Sequence, residues 1–154
     1  MAEHITTLAA NDMLQCLVGK SFQYGIKSQG CELYDFGFGE LINVPNSKGE
    51  DRTVCLHTLH VTCRFKVISK NRERRIDRYF EDTLSEEFHV NIQKLVGLYV
   101  KRIALSDKND LWLDLEDYWV VFATFEDGEE SWRYFSPGSG MPHIVASDLW
   151  ICLE

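Results

Sequence analysis

Thirteen consecutive residues, Cys55 to Val67, alternate in character, and this run constrains the fold more than any other part of the chain. Cys55, His57, Leu59, Val61, Cys63, Phe65 and Val67 fall on one side of an extended backbone. Leu56, Thr58, His60, Thr62, Arg64 and Lys66 fall on the other. A period of two sustained this long predicts a strand with one buried face. RTVCLHTLHVTCRFKVIS (52–69) accordingly reads as one long strand. The same geometry decides whether its soft ligands form a metal site. His60 points away from Cys55, His57 and Cys63, and Cys55 and Cys63 stand roughly 26 Å apart at strand rise. A tetrahedral centre needs convergent ligands, so no metal is expected, and both cysteines read as small core residues.

A short motif occurs twice. QCLVGK (15–20) and QKLVGL (93–98) align at an offset of 78. Before the first, Ala10, Leu14 and Leu17 share one helical face in a segment from about Thr7 to Leu17. Before the second, Phe88, Ile92 and Leu95 do the same over Ser85 to Val96, with Thr83 and Glu86 spaced as a capping box. Gly19 and Gly97 sit where a left-handed residue would end each helix. Beyond each glycine the period changes to two. KSFQYGIK, CELYDFGFGELINV with a bulge at Gly37 or Gly39, the long strand and RIDRYFED follow the first. Residues 100–105, LWLDLED, WVVFATF, SWRYF and HIVASDLWICL follow the second. The expected fold is α+β, mainly β. It is a single domain over 1–154, with two tandem helix-plus-antiparallel-meander repeats (about 7–80 and 85–154) packed as a sandwich or partly open barrel.

Net charge is -8, and residues 107–130 hold all of it, with nine acids against Lys108 alone. Seven bases, Arg64, Lys66, Lys70, Arg72, Arg74, Arg75 and Arg78, crowd another 15 residues. Thirteen of the 19 aromatics follow residue 78. Trp112 alternates with the leucines of its strand and so shares a face with Asp114 and Glu116. An aromatic among carboxylates suits a protein interface, where the ring anchors and the charge selects. The expected interface comprises Asp110, Trp112, Asp114, Glu116, Asp117, Glu126, Glu129, Glu130, Trp132 and Arg133. The strongly acidic balance argues against nucleic acid, although Arg72 to Arg78 with nearby aromatics is the place such a ligand would contact. No apolar run approaches a membrane span. The start of the chain lacks the features of a secretory leader, and five irregularly spaced cysteines suit a reducing cytoplasm.

No catalytic residue, cofactor or metal is expected. Ser139 in PGSGMPH precedes His143 by four residues, but no strand-to-helix elbow surrounds it. GFGE (37–40) lacks the pattern of a phosphate loop. The run FEDGEESWRYFSPGSGMPHIV (125–145), with LVGK and LVGL each leading into alternating strands, resembles a group of small uncharacterised bacterial proteins. The likeness is best over the last third of the chain. It implies an immunity protein, which binds and blocks a toxin, and it carries no catalytic residue across. The leading expectation is therefore a non-enzymatic cytoplasmic protein that occludes a basic partner, such as a toxin domain. The alternative is a small-ligand protein or enzyme with a pocket between the two sheets, served by His57, His60 or His143. A homo-oligomeric module is the third.

Overall fold

The computed structural model describes residues 2–28, 33–70 and 92–154. The chain is mainly β and forms two antiparallel sheets. In chain order the elements are β1 (Glu3–His4), α1 (Thr7–Leu14) with a 3-10 turn at Gln15–Leu17, β2 (Phe22–Lys27), β3 (Tyr34–Pro45), β4 (Asp51–Val61), β5 (Arg64–Ser69), β6 (Arg102–Leu105), β7 (Leu111–Leu115), β8 (Tyr118–Ala123), β9 (Trp132–Phe135), β10 (Ile144–Ala146) and β11 (Ile151–Leu153). The larger sheet runs β1-β11-β10-β9-β4-β3-β2, and the smaller runs β5-β8-β7-β6. No described helix is long and apolar enough to cross a membrane.

The first helix begins where Thr6 caps it, its hydroxyl accepting from the Ala9 amide at 3.0 Å. Ala10, Leu14 and Leu17 are buried as their spacing predicts, and so are Ile92 and Leu95. The segment expected as the second helix, its capping pair Thr83 and Glu86, the strand RIDRYFED and the bases Arg72, Arg74, Arg75 and Arg78 lie mainly or wholly outside the described residues.

The two LVG segments lie against each other. Gly19 and Gly97 both take positive φ, at 84° and 90°, a conformation glycine adopts without strain. The Gly19 amide donates to the Val100 carbonyl and the Gly97 amide to the Phe22 carbonyl, each at 2.8 Å. Phe22 donates to Leu98 at 2.8 Å and Val100 to Lys20 at 2.9 Å, around a single bridge between Ser21 and Tyr99. Adding 78 to one set of residue numbers generates the other.

The long strand expected over 52–69 breaks into two. β4 ends at Val61, the chain turns through Thr62 and Cys63, and β5 enters the other sheet against β8. The later half does the mirror of this, with β9 leaving β8 to pair with β4. Each three-strand meander is thus completed by a strand from the other half. The inward face survives the corner, since Leu59, Val61, Cys63, Phe65 and Val67 are all buried in the core. The expected bulge in β3 is present as a register shift between Phe38 and Leu41. Between the sheets, Phe36, Phe65 and Phe122 meet with centroids 5.2 to 5.8 Å apart. Aromatic pairs at such separations add specific edge and offset contacts to the burial itself.

Asn109 ties the helix, the β6–β7 turn and the last hairpin together. It takes φ 63° and is 3 % exposed. Its Oδ1 accepts from the Thr7 hydroxyl at 2.7 Å, its Nδ2 donates to the Ser147 carbonyl at 2.9 Å, and its carbonyl accepts from Trp132 Nε1 at 2.9 Å. Asn109→Ala is expected to cost about 2–3 kcal/mol in urea denaturation, from unpaired buried groups and a left-handed backbone. Asn109→Gly should recover the backbone part, and equal costs for the two variants would show that φ contributes nothing.

Candidate functional site

Apart from Asp114 in β7, the acids of 107–130 occupy turns and loops rather than a strand face. Asp107 is exposed in the β6–β7 turn, and Glu126, Asp127 and Glu129 are exposed in the turn after β8, at the same end of the smaller sheet. Glu116 and Asp117 turn the chain at the other end, one strand length away. Asp110 is half-buried, with Oδ1 accepting from the Thr124 amide and hydroxyl, both at 2.8 Å. Glu116 takes φ 58° and accepts from the Tyr99 amide at 2.9 Å. Glu130 forms a bidentate pair with Arg133 at 2.9 and 3.0 Å.

Three expectations about this region are corrected. Asp114 is 4 % exposed and lies between Lys70 and Arg102, so it is no part of an open acidic face. Burial pushes its carboxyl up, but hydrogen bonds from Lys70 and Arg102 outweigh this and hold it below the usual carboxylate range. Trp132 is 1 % exposed, with its indole N–H bound to Asn109, and cannot anchor a partner. Trp112 is 38 % exposed but does not stand among carboxylates. Its cross-strand row is Ala104, Val121 and Lys66, and the adjacent row brings Arg102, Asp114 and Trp119. Lys70 and Arg102 lie over the Trp119 ring at 4.9 and 5.3 Å. The outer face of the smaller sheet is therefore cationic and aromatic, because strand pairing sets β5 beside β8.

The three histidines do not share a site. His57 is 8 % exposed and bonds through Nδ1 to the Tyr134 hydroxyl at 2.8 Å. The Tyr134 oxygen also lies 3.3 Å from the Cys16 sulfur. His60 and His143 lie across the sheet from His57, on its outer face, with Phe135 between them. His60 meets the Phe135 ring edge-on at 4.7 Å, and His143 stacks on it at 4.7 Å. The pocket expected between the sheets with His57, His60 or His143 is thus corrected: the space between the sheets holds packed phenylalanines, and the opening lies outside the larger sheet. Ser139 donates to the Ser136 carbonyl at 2.7 Å and accepts from the Met141 amide at 3.1 Å, which spends its hydroxyl on shaping the loop.

That opening has two connected parts. An inner niche of about 40 Å³ is lined by Tyr24, Asp35, Arg52, Val54, Thr58, His60, Phe135 and Pro137. An outer groove of about 650 Å³ shares Arg52, Phe135 and Pro137 and is closed by the 136–142 loop, His143 and Glu154. Arg133 stands beside it, bound to Glu130, to Glu154 at 2.7 Å and to His143 Nδ1 at 3.1 Å. Gly37 lets the Tyr24 ring pack directly on the strand, since a Cβ there would fall 2.4 Å from that ring and 2.7 Å from the Cys55 sulfur. Cys55, expected in the core, lies instead under Tyr24, whereas Cys63 packs in the core.

Asp35 is the electrostatic centre of the niche. Burial lifts its carboxyl to about 6, with Arg52 opposing the shift. Its Oδ1 is shielded from solvent and receives no hydrogen bond, and His60 Nε2 lies 3.8 Å from it, beyond bonding reach. His60 is pushed down by burial, then by Arg133 and His143, and His143 by burial and Arg133, so both rings are neutral near pH 7. Burial, and then the Asp35 charge, raises the Tyr24 hydroxyl to about 12. Such perturbed groups gathered in one recess make it a candidate functional position. No sequence reading singled out Tyr24, Asp35 or Arg52. The available signal was YDF (34–36), an acid whose two aromatic neighbours face the core and so leave it on the opposite side.

No protein-family model, curated protein or solved structure matches the chain.

A carboxyl whose folded pKa lies above its unfolded value favours folding only while protonated. Asp35 should therefore destabilise the fold increasingly as pH rises from about 4 through about 6. Asp35→Asn is expected to match the parent in melting temperature near pH 4. At pH 7 it should melt higher than the parent, its unfolding free energy larger by on the order of 1 kcal/mol after allowance for solvent screening. A difference that does not change with pH would show that Asp35 is not strained.

Proposed function

We propose that the chain is a non-enzymatic, cytoplasmic protein-binding module that occludes a basic partner, in the manner expected of an immunity protein for a bacterial toxin. The observation that carries this reading is one acidic, leucine-bearing end of the molecule. Asp107, Glu126, Asp127 and Glu129 are exposed there. Leu149 is 76 % exposed and packs over Gly128 at the tip of the acidic turn. Asp148 Oδ1 accepts from the Gly128 amide, and Trp150 Nε1 donates to the Gly128 carbonyl, which anchors the turn to the last hairpin. Leu8, 72 % exposed, starts the helix whose Thr7 bonds Asn109, and so belongs to the same end. Apolar anchors ringed by carboxylates fit a basic surface with an apolar recess: charge speeds encounter and burial slows release. The free thiols of Cys16, Cys55, Cys63 and Cys152 suit a reducing compartment.

The test is a paired capture from lysate of the source cells at low and moderate salt. A single basic protein should be held stoichiometrically by the parent chain. The Asp107→Lys, Glu126→Lys, Asp127→Lys, Glu129→Lys variant should lose affinity by about tenfold or more, and Trp112→Ala should lose none. Equal capture by the charge-reversed variant, or an empty column, would sink the reading.

We propose also that the two halves are copies of one helix-plus-meander unit. The hydrogen bonds matched at an offset of 78 and the exchange of β5 for β9 support this. Residues 1–80 and 81–154, co-expressed as separate chains, should then purify as a one-to-one complex, since each supplies a strand to the other's sheet. Independent elution of two folded fragments would refute it.

A further inference from the structure

The cleft on the larger sheet lies away from the acidic end and carries an argument of its own. Its inner niche is polar and is lined by one acid, Asp35, and one base, Arg52. The Asp35 carboxylate has an oxygen without a donor. The side chain as a whole is about a third exposed, so a ligand's donor can reach the carboxylate. Arg52 is exposed at the mouth, near enough to pull on the Asp35 titration, and its guanidinium makes no hydrogen bond or ion pair among the described residues. The Thr58 hydroxyl is turned to the Cys55 carbonyl at 3.4 Å, and Arg133 is committed to Glu130 and Glu154, so neither serves Asp35. At about 40 Å³ the niche admits a compact head group, the space of two or three water molecules. The adjoining groove, at about 650 Å³, is of the size that small-molecule sites occupy, and Phe135, Pro137, Met141 and Pro142 give it an apolar wall.

We propose that this cleft binds a small zwitterion, an α-amino acid with an apolar or aromatic side chain. Its ammonium donates to Asp35, its carboxylate pairs with Arg52, and its side chain lies in the groove against Phe135. The charges select this class over its neighbours. A simple anion would satisfy Arg52 but meet the Asp35 charge and leave its oxygen bare. A simple amine would satisfy Asp35 but bring a cation to Arg52. A peptide amino terminus carries an uncharged amide where the carboxylate is required. The neutral His60 and the Tyr24 hydroxyl line the niche without adding a charge that would oppose either end.

The experiment is calorimetric titration of the full chain with L-phenylalanine, L-leucine and L-methionine, and with phenethylamine and 3-phenylpropionate as the amine-only and acid-only analogues. At least one amino acid should bind below about 10 mM, and each analogue should bind about tenfold or more weaker than L-phenylalanine. Asp35→Asn and Arg52→Gln should each weaken the amino acid about tenfold or more, whereas Glu126→Lys at the acidic end should leave it unchanged. Circular dichroism would confirm that each variant is folded. Arg52 lies at the surface, so its variant reads the site even if Asp35→Asn disturbs the sheet. The proposal is overturned if no amino acid binds, if either analogue binds as well as L-phenylalanine, or if a folded Arg52→Gln binds like the parent.

Discussion

The architecture turns on one carbonyl. Ser131 O accepts the amides of Thr62 and Cys63, at 3.0 and 3.2 Å, where the chain leaves the larger sheet for the smaller. Ser131 is fully buried; its own amide donates to Ala146, and the Thr62 hydroxyl binds the Glu130 carbonyl at 2.9 Å. Two backbone amides released at a sheet junction would otherwise be stranded. Their capture lets β5 continue the inward face of β4 in a different sheet and opens the edge of β4 to β9. Every later placement, including the row Asp35–His60–Arg133, follows from that substitution of strands.

The same exchange sorts the charges. Because β5 joins β8, Lys66 comes beside Trp112, and Lys70 with Arg102 surrounds Asp114. The cations therefore cover a sheet face, while the exposed carboxylates remain in the connecting turns. An acid buried between two bases keeps its charge through their hydrogen bonds. One buried beside a single distant guanidinium, as Asp35 is, titrates far higher. These two aspartates, one on each sheet, differ in partners and in depth, since the Asp114 side chain is buried and that of Asp35 is about a third exposed. The first has both its oxygens bonded, and the second has an oxygen that receives no hydrogen bond.

Local features were legible where a residue's surroundings are set by its own segment. The helix over Thr7–Leu14, the bulge in β3, the left-handed glycines after each LVG and the inward face of 55–67 all follow from spacing and backbone preference. Trp132 and Asp114 were misread for a shared reason. Alternation assigns a residue to a face but does not say what covers that face. Trp132 points inward and finds the Asn109 carbonyl 23 positions away, and Asp114 points outward to Arg102 of the neighbouring hairpin strand and to Lys70, 44 positions away, which sequence order does not place nearby. His57 and His60 were grouped as candidate ligands by composition, although their three-residue separation puts them on opposite faces of β4.

What the sequence by itself determined is a mainly β chain, its principal strands and their buried faces, and a concentration of acid between Asp107 and Glu130. Those depend on period, turn chemistry and residue type, which act over a few neighbours. Only the tertiary structure decided that β4 and β5 part company at Thr62 and Cys63, that Trp112 faces lysine and arginine, and that Tyr24, Asp35, Arg52, His60 and Phe135 meet in one recess. Those depend on which strands lie side by side. That choice is made by burial of the common phenylalanine core and by pairing of the backbone groups at the corner, neither of which is encoded in any single segment.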